Sequence, residues 1–267
     1  MGARFTITPV LLSLAVVIFS TKIATASELS EYVKAIKAYV ERQASPSIAN
    51  IASGFGASNG VGFAAVSYSD NDMQTDVEGD DDGSIVVGIG LGDPRENFGV
   101  EASIGITSVS TSFWGDGKFA DEGNLNLKAH RLAPSFGLSD TASVSIGASN
   151  LAGWGSTTEN PTNAYAAYSG IKYLGQFDEY SLGYTIGWGS AVSNTETDAG
   201  FFYGVALARA NYNVSIGFIN SERHVSLSWQ PQFVKNSSVT FTKVSDAENS
   251  QSARSIITLG YSLELFK

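Results

Sequence analysis

The 267-residue chain contains no cysteine, two methionines, two histidines and six prolines. Without cysteine there is no disulfide framework, no thiolate metal site and no cysteine nucleophile. Basic residues are outnumbered, 16 Lys and Arg against 26 Asp and Glu, for a formal charge of −10. That balance, with no basic patch, argues against a nucleic-acid partner. Long apolar runs are missing too. Beyond the first 26 residues no segment reaches the ~20 apolar residues that a helix needs to cross a bilayer. If the chain crosses a membrane, it does so with strands.

The amino-terminal stretch MGARFTITPVLLSLAVVIFSTKIATAS has Arg4, an apolar core from Val10 to Phe19 and the small-x-small triplet Ala24-Thr25-Ala26. These are the marks of a secretory signal peptide over residues 1–26, with cleavage before Ser27. Removing Arg4 and Lys22 takes the formal charge from −10 to −12. Residues 28–43, ELSEYVKAIKAYVERQ, place Leu29, Tyr32, Val33, Ile36, Tyr39 and Val40 at helical spacing. One short amphipathic helix is expected there, ending before Pro46, with residues 27–52 as a periplasmic helix and linker.

From residue 53 to 267 the period changes from 3.6 to two. In SIVVGIGLG, Ile85, Val87, Ile89 and Leu91 alternate with Val86, Gly88 and Gly90, and YSLGYTIGWG sets Tyr180, Leu182, Tyr184, Ile186 and Trp188 against Ser181, Gly183, Thr185, Gly187 and Gly189. Twelve such strands are expected, near 60–69, 84–92, 98–110, 125–131, 142–150, 164–174, 180–189, 201–209, 212–219, 224–230, 238–244 and 255–265. The connections mostly alternate between long (DNDMQTDVEGDDDG) and short (DPREN, GQFDE). An even strand count with long loops at one end and short turns at the other is the layout of a transmembrane barrel.

The second face of the strands decides between a soluble sandwich and a barrel in lipid. A solvated exterior carries Lys and Glu, whereas this face is mostly Gly, Ser, Thr and Ala. Such a surface suits a crowded lumen, with the apolar side chains against hydrocarbon and every backbone group paired by closure. The expected fold is all-β, a 12-stranded antiparallel transmembrane β-barrel preceded by one short amphipathic helix. Aromatic girdles are expected from Phe98, Tyr173, Tyr180, Tyr212 and Trp229 at one boundary and Tyr165, Trp188, Phe201 and Tyr203 at the other. Lumen-lining candidates are the sparse titratable groups in phase with the small residues: Glu101, Lys128, His130, Lys172, His224 and Glu264.

The acidic stretch 70–83 holds Glu78, Asp80, Asp82 and Gly83 at positions one, three, five and six of a calcium loop. Position twelve is Ile89 where a bidentate glutamate is needed, so a solvated acidic loop is the favoured reading over a metal site. No other cofactor is indicated. His130 and His224 are assigned to opposite ends of the barrel, which leaves no nucleophile, base and orienting group together.

On these residues the chain resembles bacterial outer-membrane β-barrel proteins over roughly residues 53–267. GLGDPRENFGVEASIGITSVS, LNLKAHRLAP and ASVSIGASNLAGWG look like an uncharacterised group of such barrels associated with cyanobacteria. The resemblance implies an outer-membrane location, lipid and the barrel-assembly machinery as partners, and a porin-like passage for small hydrophilic solutes. A non-conducting structural or adhesion barrel and a lipid-modifying enzyme are the alternatives. One departure is at the carboxyl end. Such barrels usually close on an aromatic residue in phase with apolar positions, whereas Phe266 precedes Lys267 and is in phase with Glu264 and Ser262.

Overall fold

The computed structural model describes residues 46–70, 82–106, 120–174, 180–192, 199–246 and 253–266. The signal peptide and the helix expected at 28–43 lie outside these residues. The expected strands are all present: β1 Val61–Asp70, β2 Asp82–Leu91, β3 Gly99–Ile106, β4 Gly123–Leu132, β5 Thr141–Trp154, β6 Asn163–Leu174, β7 Tyr180–Gly189, β8 Gly200–Arg209, β9 Tyr212–Ile219, β10 Glu222–Trp229, β11 Ser237–Asp246 and β12 Arg254–Glu264. Each pairs antiparallel with its sequence neighbours, and β1 pairs with β12 from Val61↔Glu264 to Asp70↔Ser255, closing the barrel. Closure leaves no edge whose N–H and C=O groups lack a partner strand.

The chain enters and leaves the wall at one end, where the Leu265 amide donates to the Gly60 carbonyl at 2.7 Å. This terminal end carries the connections 92–98, 133–140, 210–211 and 230–236. The connection between β8 and β9 is two residues long because Ala210 takes a φ of 49°, as the tightest hairpin turns require. One irregularity interrupts the wall. Between the pairs Leu127↔Ala148 and Leu125↔Ala152, β5 carries two more residues than β4. The turn of chain is held by Asn150, whose φ is 52° and whose amide donates to the Asn126 side chain at 2.9 Å. β5 therefore runs longer than the sequence pattern suggests.

Alternation is strict where it can be followed. Along β8, Phe201, Tyr203, Val205, Leu207 and Arg209 are exposed while Gly200, Phe202, Gly204, Ala206 and Ala208 are buried. The exposed face is the apolar one: Val87, Ile104, Ile186, Val205, Leu207, Val214, Leu227, Phe241 and Leu259 each expose between 46% and 56% of their surface. A soluble monomer rarely carries an apolar patch beyond ~300–600 Å²; here the apolar face continues from strand to strand around the barrel. The buried face is hydroxyl-rich. Directly opposed pairs bond across strands on it: Ser169 with Thr185 and Ser215 with Ser226 at 2.6 Å, Ser67 with Thr258 at 2.8 Å, and Thr240 to Ser228 at 2.9 Å.

Candidate functional site

What buries that inner face is the chain itself. Residues 46–60, expected to be linker and the start of the wall, lie inside the barrel as a plug of two limbs. Pro46 sits against Gly183, where an added Cβ would come within 2.8 Å of the proline ring. The Asn213 side chain then takes both backbone groups of Ser47, accepting from its amide at 3.3 Å and donating to its carbonyl at 2.8 Å. The limb turns back at Ile48–Ile51, where the Ile51 amide donates to the Ile48 carbonyl at 3.4 Å and Asn50 takes a φ of 61°. Asparagine is among the few L residues that adopt this conformation routinely. At the tip, Ile51 packs in one cluster with Ala167, Phe202 and Ile219, and Ile48, Ala52 and Tyr165 border it. Burying an isoleucine of this kind stabilises by ~1.5–3 kcal/mol.

The returning limb is held through its backbone. Ser145 donates to the Ser53 carbonyl at 2.9 Å, the Gly54 amide donates to Ser169 Oγ at 2.8 Å, Lys128 Nζ donates to the Phe55 carbonyl at 3.1 Å, and the Ala57 amide donates to Glu101 Oε2 at 2.8 Å. Glu101 and Lys128 are direct cross-strand partners and pair with each other at 3.0 Å, their side chains 19% and 13% exposed. The limb lies close because it is nearly bare. A Cβ at Gly54 would strike the Ser143 carbonyl and the Ser169 amide, and one at Gly56 would enter the His130 ring.

Two passes of chain fit such a lumen. Twelve strands ~4.8 Å apart, tilted ~40°, give a backbone radius of about 12 Å. Small inner side chains leave a core about 14 Å across, and packed backbone layers need ~10 Å. The plug is not centred. Ser143, Ser145, Ser169, Ser181, Asn213, Ser215 and Ser226, on β5, β6, β7, β9 and β10, are at most 3% exposed. Across the barrel Thr240, Thr258, Gly260, Ser262, Ala65, Ser67, Ser84 and Val86, on β11, β12, β1 and β2, are only half-buried. The wall facing away from the plug is partly accessible, and these eight residues carry no charge.

The lumen candidates separate accordingly. Glu101, Lys128, His130 and His224 face inward onto the plug. His130 is 1% exposed, its ring packed beside Gly56 and Gly99. His224 lies 3.4 Å from the Asn50 amide and 3.2 Å from Glu222, which is also 3.9 Å from Arg254. Glu264 shares the inner phase of Thr258 and stands exposed at the terminal end. Lys172 is a correction: it lies on the outer face, in phase with Tyr168, and pairs with Asp140 at 3.0 Å. The same phase turns Tyr165 and Tyr173 inward, and Tyr165 rests edge-on to Phe202 with centroids 6.4 Å apart. β6 misleads because alanine and tyrosine occur on both of its faces, so the alternation carries no sign; the bond from Ser169 to the plug fixes it.

Phe98, Tyr180, Tyr212 and Trp229 stand on the outer face toward the terminal end, and Trp188, Phe201 and Tyr203 toward the other. Arg209 lies over the Tyr180 ring at 4.8 Å, and Tyr203 stacks on Phe218 at 5.1 Å. Phe136 and Phe233, in terminal-end connections, are 76% and 81% exposed and extend that belt; their place in loops hid them from strand periodicity. Glu78 and Asp80 lie outside the described residues, while Asp82 opens β2 opposite Ser69. Among the described residues no group of three or more metal-binding side chains is gathered.

No protein-family model matches the chain, nor does any curated protein. Among solved structures it is similar to a KdgM porin, at 11% identity over 75% of this chain and 99% of that one, with a TM-score of 0.45. It is also similar to the COG4313 outer membrane channel from Pseudomonas putida F1, at 12% identity over 78% of this chain and 97% of that one, TM-score 0.45. The low-pH structure of Pseudomonas putida OprB is matched at 8% identity over 76% and 91%, with a TM-score of 0.27.

Proposed function

We propose that the chain is an outer-membrane β-barrel that passes small hydrophilic solutes by passive diffusion, through a lumen narrowed by residues 46–60. The observation that carries this reading is the inversion of faces: apolar side chains outside, hydroxyls and a charged pair inside, around a closed sheet. Strands of 8–14 residues match the ~9–11 that a tilted strand needs to span hydrocarbon. The outward cations Arg131, Lys172, Arg209, Arg223 and Lys243 all fall within three residues of a strand end, where they reach the headgroups.

Selection in such a passage is physical. The free cross-section is the space between the plug and the half-buried wall from Thr240 to Ser84. That wall offers mainly hydroxyls, with Arg254 at one end of β12 and Glu264 at the terminal end. Hydroxyls exchange hydrogen bonds with water and neutral polar solutes without holding them, which lets a solute enter and leave. A catalytic reading lacks a site: His224 turns to Glu222 and Asn50, while the Ser226 hydroxyl is engaged with Ser215. The non-conducting alternative is separated by experiment. Purified mature protein in planar bilayers is expected to conduct, with a larger step once residues 46–57 are deleted. Silence from both proteins overturns the channel reading in favour of a structural barrel.

A further inference from the structure

The two limbs of the plug are held by different forces. The first carries Ile48 and Ile51 into an apolar cluster. The second, SGFGASNG, contains two glycines between Ser53 and Ala57, and four of its hydrogen bonds with the wall run through backbone groups. Phe55 is its one large apolar side chain and is only half-buried, and a segment held mainly by polar contacts opens at low free energy once they are lost. It is also continuous with β1 at Gly60, so it can swing toward the terminal end without unthreading.

We propose that the Glu101–Lys128 pair is the latch of this returning limb, and that the limb is a gate rather than fixed packing; this rests on the channel reading. Among the described residues the pair alone brings formal charge to the limb, and it takes one acceptor and one donor from it: the Phe55 carbonyl at 3.1 Å and the Ala57 amide at 2.8 Å. Hydrogen bonds to charged groups are the strong ones. Their mutual contact at 3.0 Å lets the two charges neutralise each other when the limb departs, so release strands neither in the lumen. A latch needs this property, and a single buried charge would lack it.

The test is a Glu101→Leu/Lys128→Met double variant in the full chain, which removes both charges and keeps most of the volume. Single-channel records should show the ratio of unlatched to latched time raised about tenfold or more, as expected for losing a charged hydrogen bond. A second change separates gating from a direct effect of wall charge on ions. Ser53 and Ser169 hydroxyls lie 3.3 Å apart, so Ser53→Cys with Ser169→Cys can form a disulfide between limb and wall. Oxidation should hold the double variant in the latched state, and reduction should release it. Parental gating without the charges, or raised conductance that the disulfide leaves unchanged, overturns the latch.

A readout independent of conduction keeps the two claims apart. The chain has no cysteine, so a lone Ala57→Cys reports how often the limb leaves the wall through its rate of labelling by a water-soluble maleimide. That rate should rise about tenfold in the uncharged background. An unchanged rate overturns the latch even if the barrel conducts. A raised rate in a barrel that never conducts supports the latch and removes the channel reading.

Discussion

At the residue scale the plug leaves little room for added atoms. Gly54 has backbone atoms of Ser143 and Ser169 where a side chain would begin, and neither can step aside as a side chain could. Gly54→Ala should therefore cost ~1–3 kcal/mol of limb docking while leaving the barrel closed. The check is conductance, expected to approach that of the protein lacking residues 46–57, with an unaltered unfolding transition for the strands. A second residue-scale effect lies outside the wall. In the connection after β2, the Arg95 guanidinium donates to Asp93 at 2.7–3.1 Å and holds its carboxyl below the ordinary range. A depressed carboxylate stabilises above its unfolded value, and the contribution fades as pH falls below ~4. The pair is about a third exposed, so Asp93→Asn should lower stability at neutral pH by no more than ~1 kcal/mol. The difference should vanish in strongly acidic unfolding titrations.

At the scale of the strand, the two faces should respond oppositely to the same change. Val205 sits mid-strand on the outside of β8, between Gly204 and Ala206 on the inside. Val205→Arg should cost ~2–4 kcal/mol of folding in lipid, and Tyr212→Arg at the boundary ~0–1 kcal/mol. Reversible unfolding in vesicles measures both, and equal costs would contradict the depth assigned to β8 and β9. On the half-buried inner wall, Thr258→Trp should narrow the free passage and reduce conductance, at a stability cost no larger than the ~0.5–1.5 kcal/mol of the lost Ser67 hydrogen bond. The strands were legible in the sequence because a period of two with glycine and serine on one side admits few other readings. β6 was legible as a strand but not in its facing, since Tyr165, Tyr168 and Tyr173 give both sides similar character. The plug was not legible. PSIANIASGFGASNG reads as a polar, glycine-rich linker, and its fit depends on partners that come from strands far along the chain, such as Asn213 and Ser169.

For the molecule as a whole, the plug and the apolar exterior belong to one arrangement. A 12-stranded wall encloses more space than small side chains can fill, and the segment preceding β1 fills the part beside β3 to β10. That couples two properties that the sequence displayed separately: glycine and serine on one face of nearly every strand, and a linker of similar composition before the first. Bare inner strands let a second layer of backbone approach, and a bare returning limb supplies it. The central claim beneath this is that the apolar face meets hydrocarbon. Because the chain lacks cysteine, single spin labels can be placed at Leu207→Cys and Val214→Cys in vesicle-reconstituted protein and compared for collision with oxygen, which concentrates in acyl chains, and with a water-soluble nickel relaxant. Both sites should favour oxygen strongly, with Tyr212→Cys nearer the headgroups. Preference for the nickel relaxant at Leu207 and Val214 would contradict the account at its base.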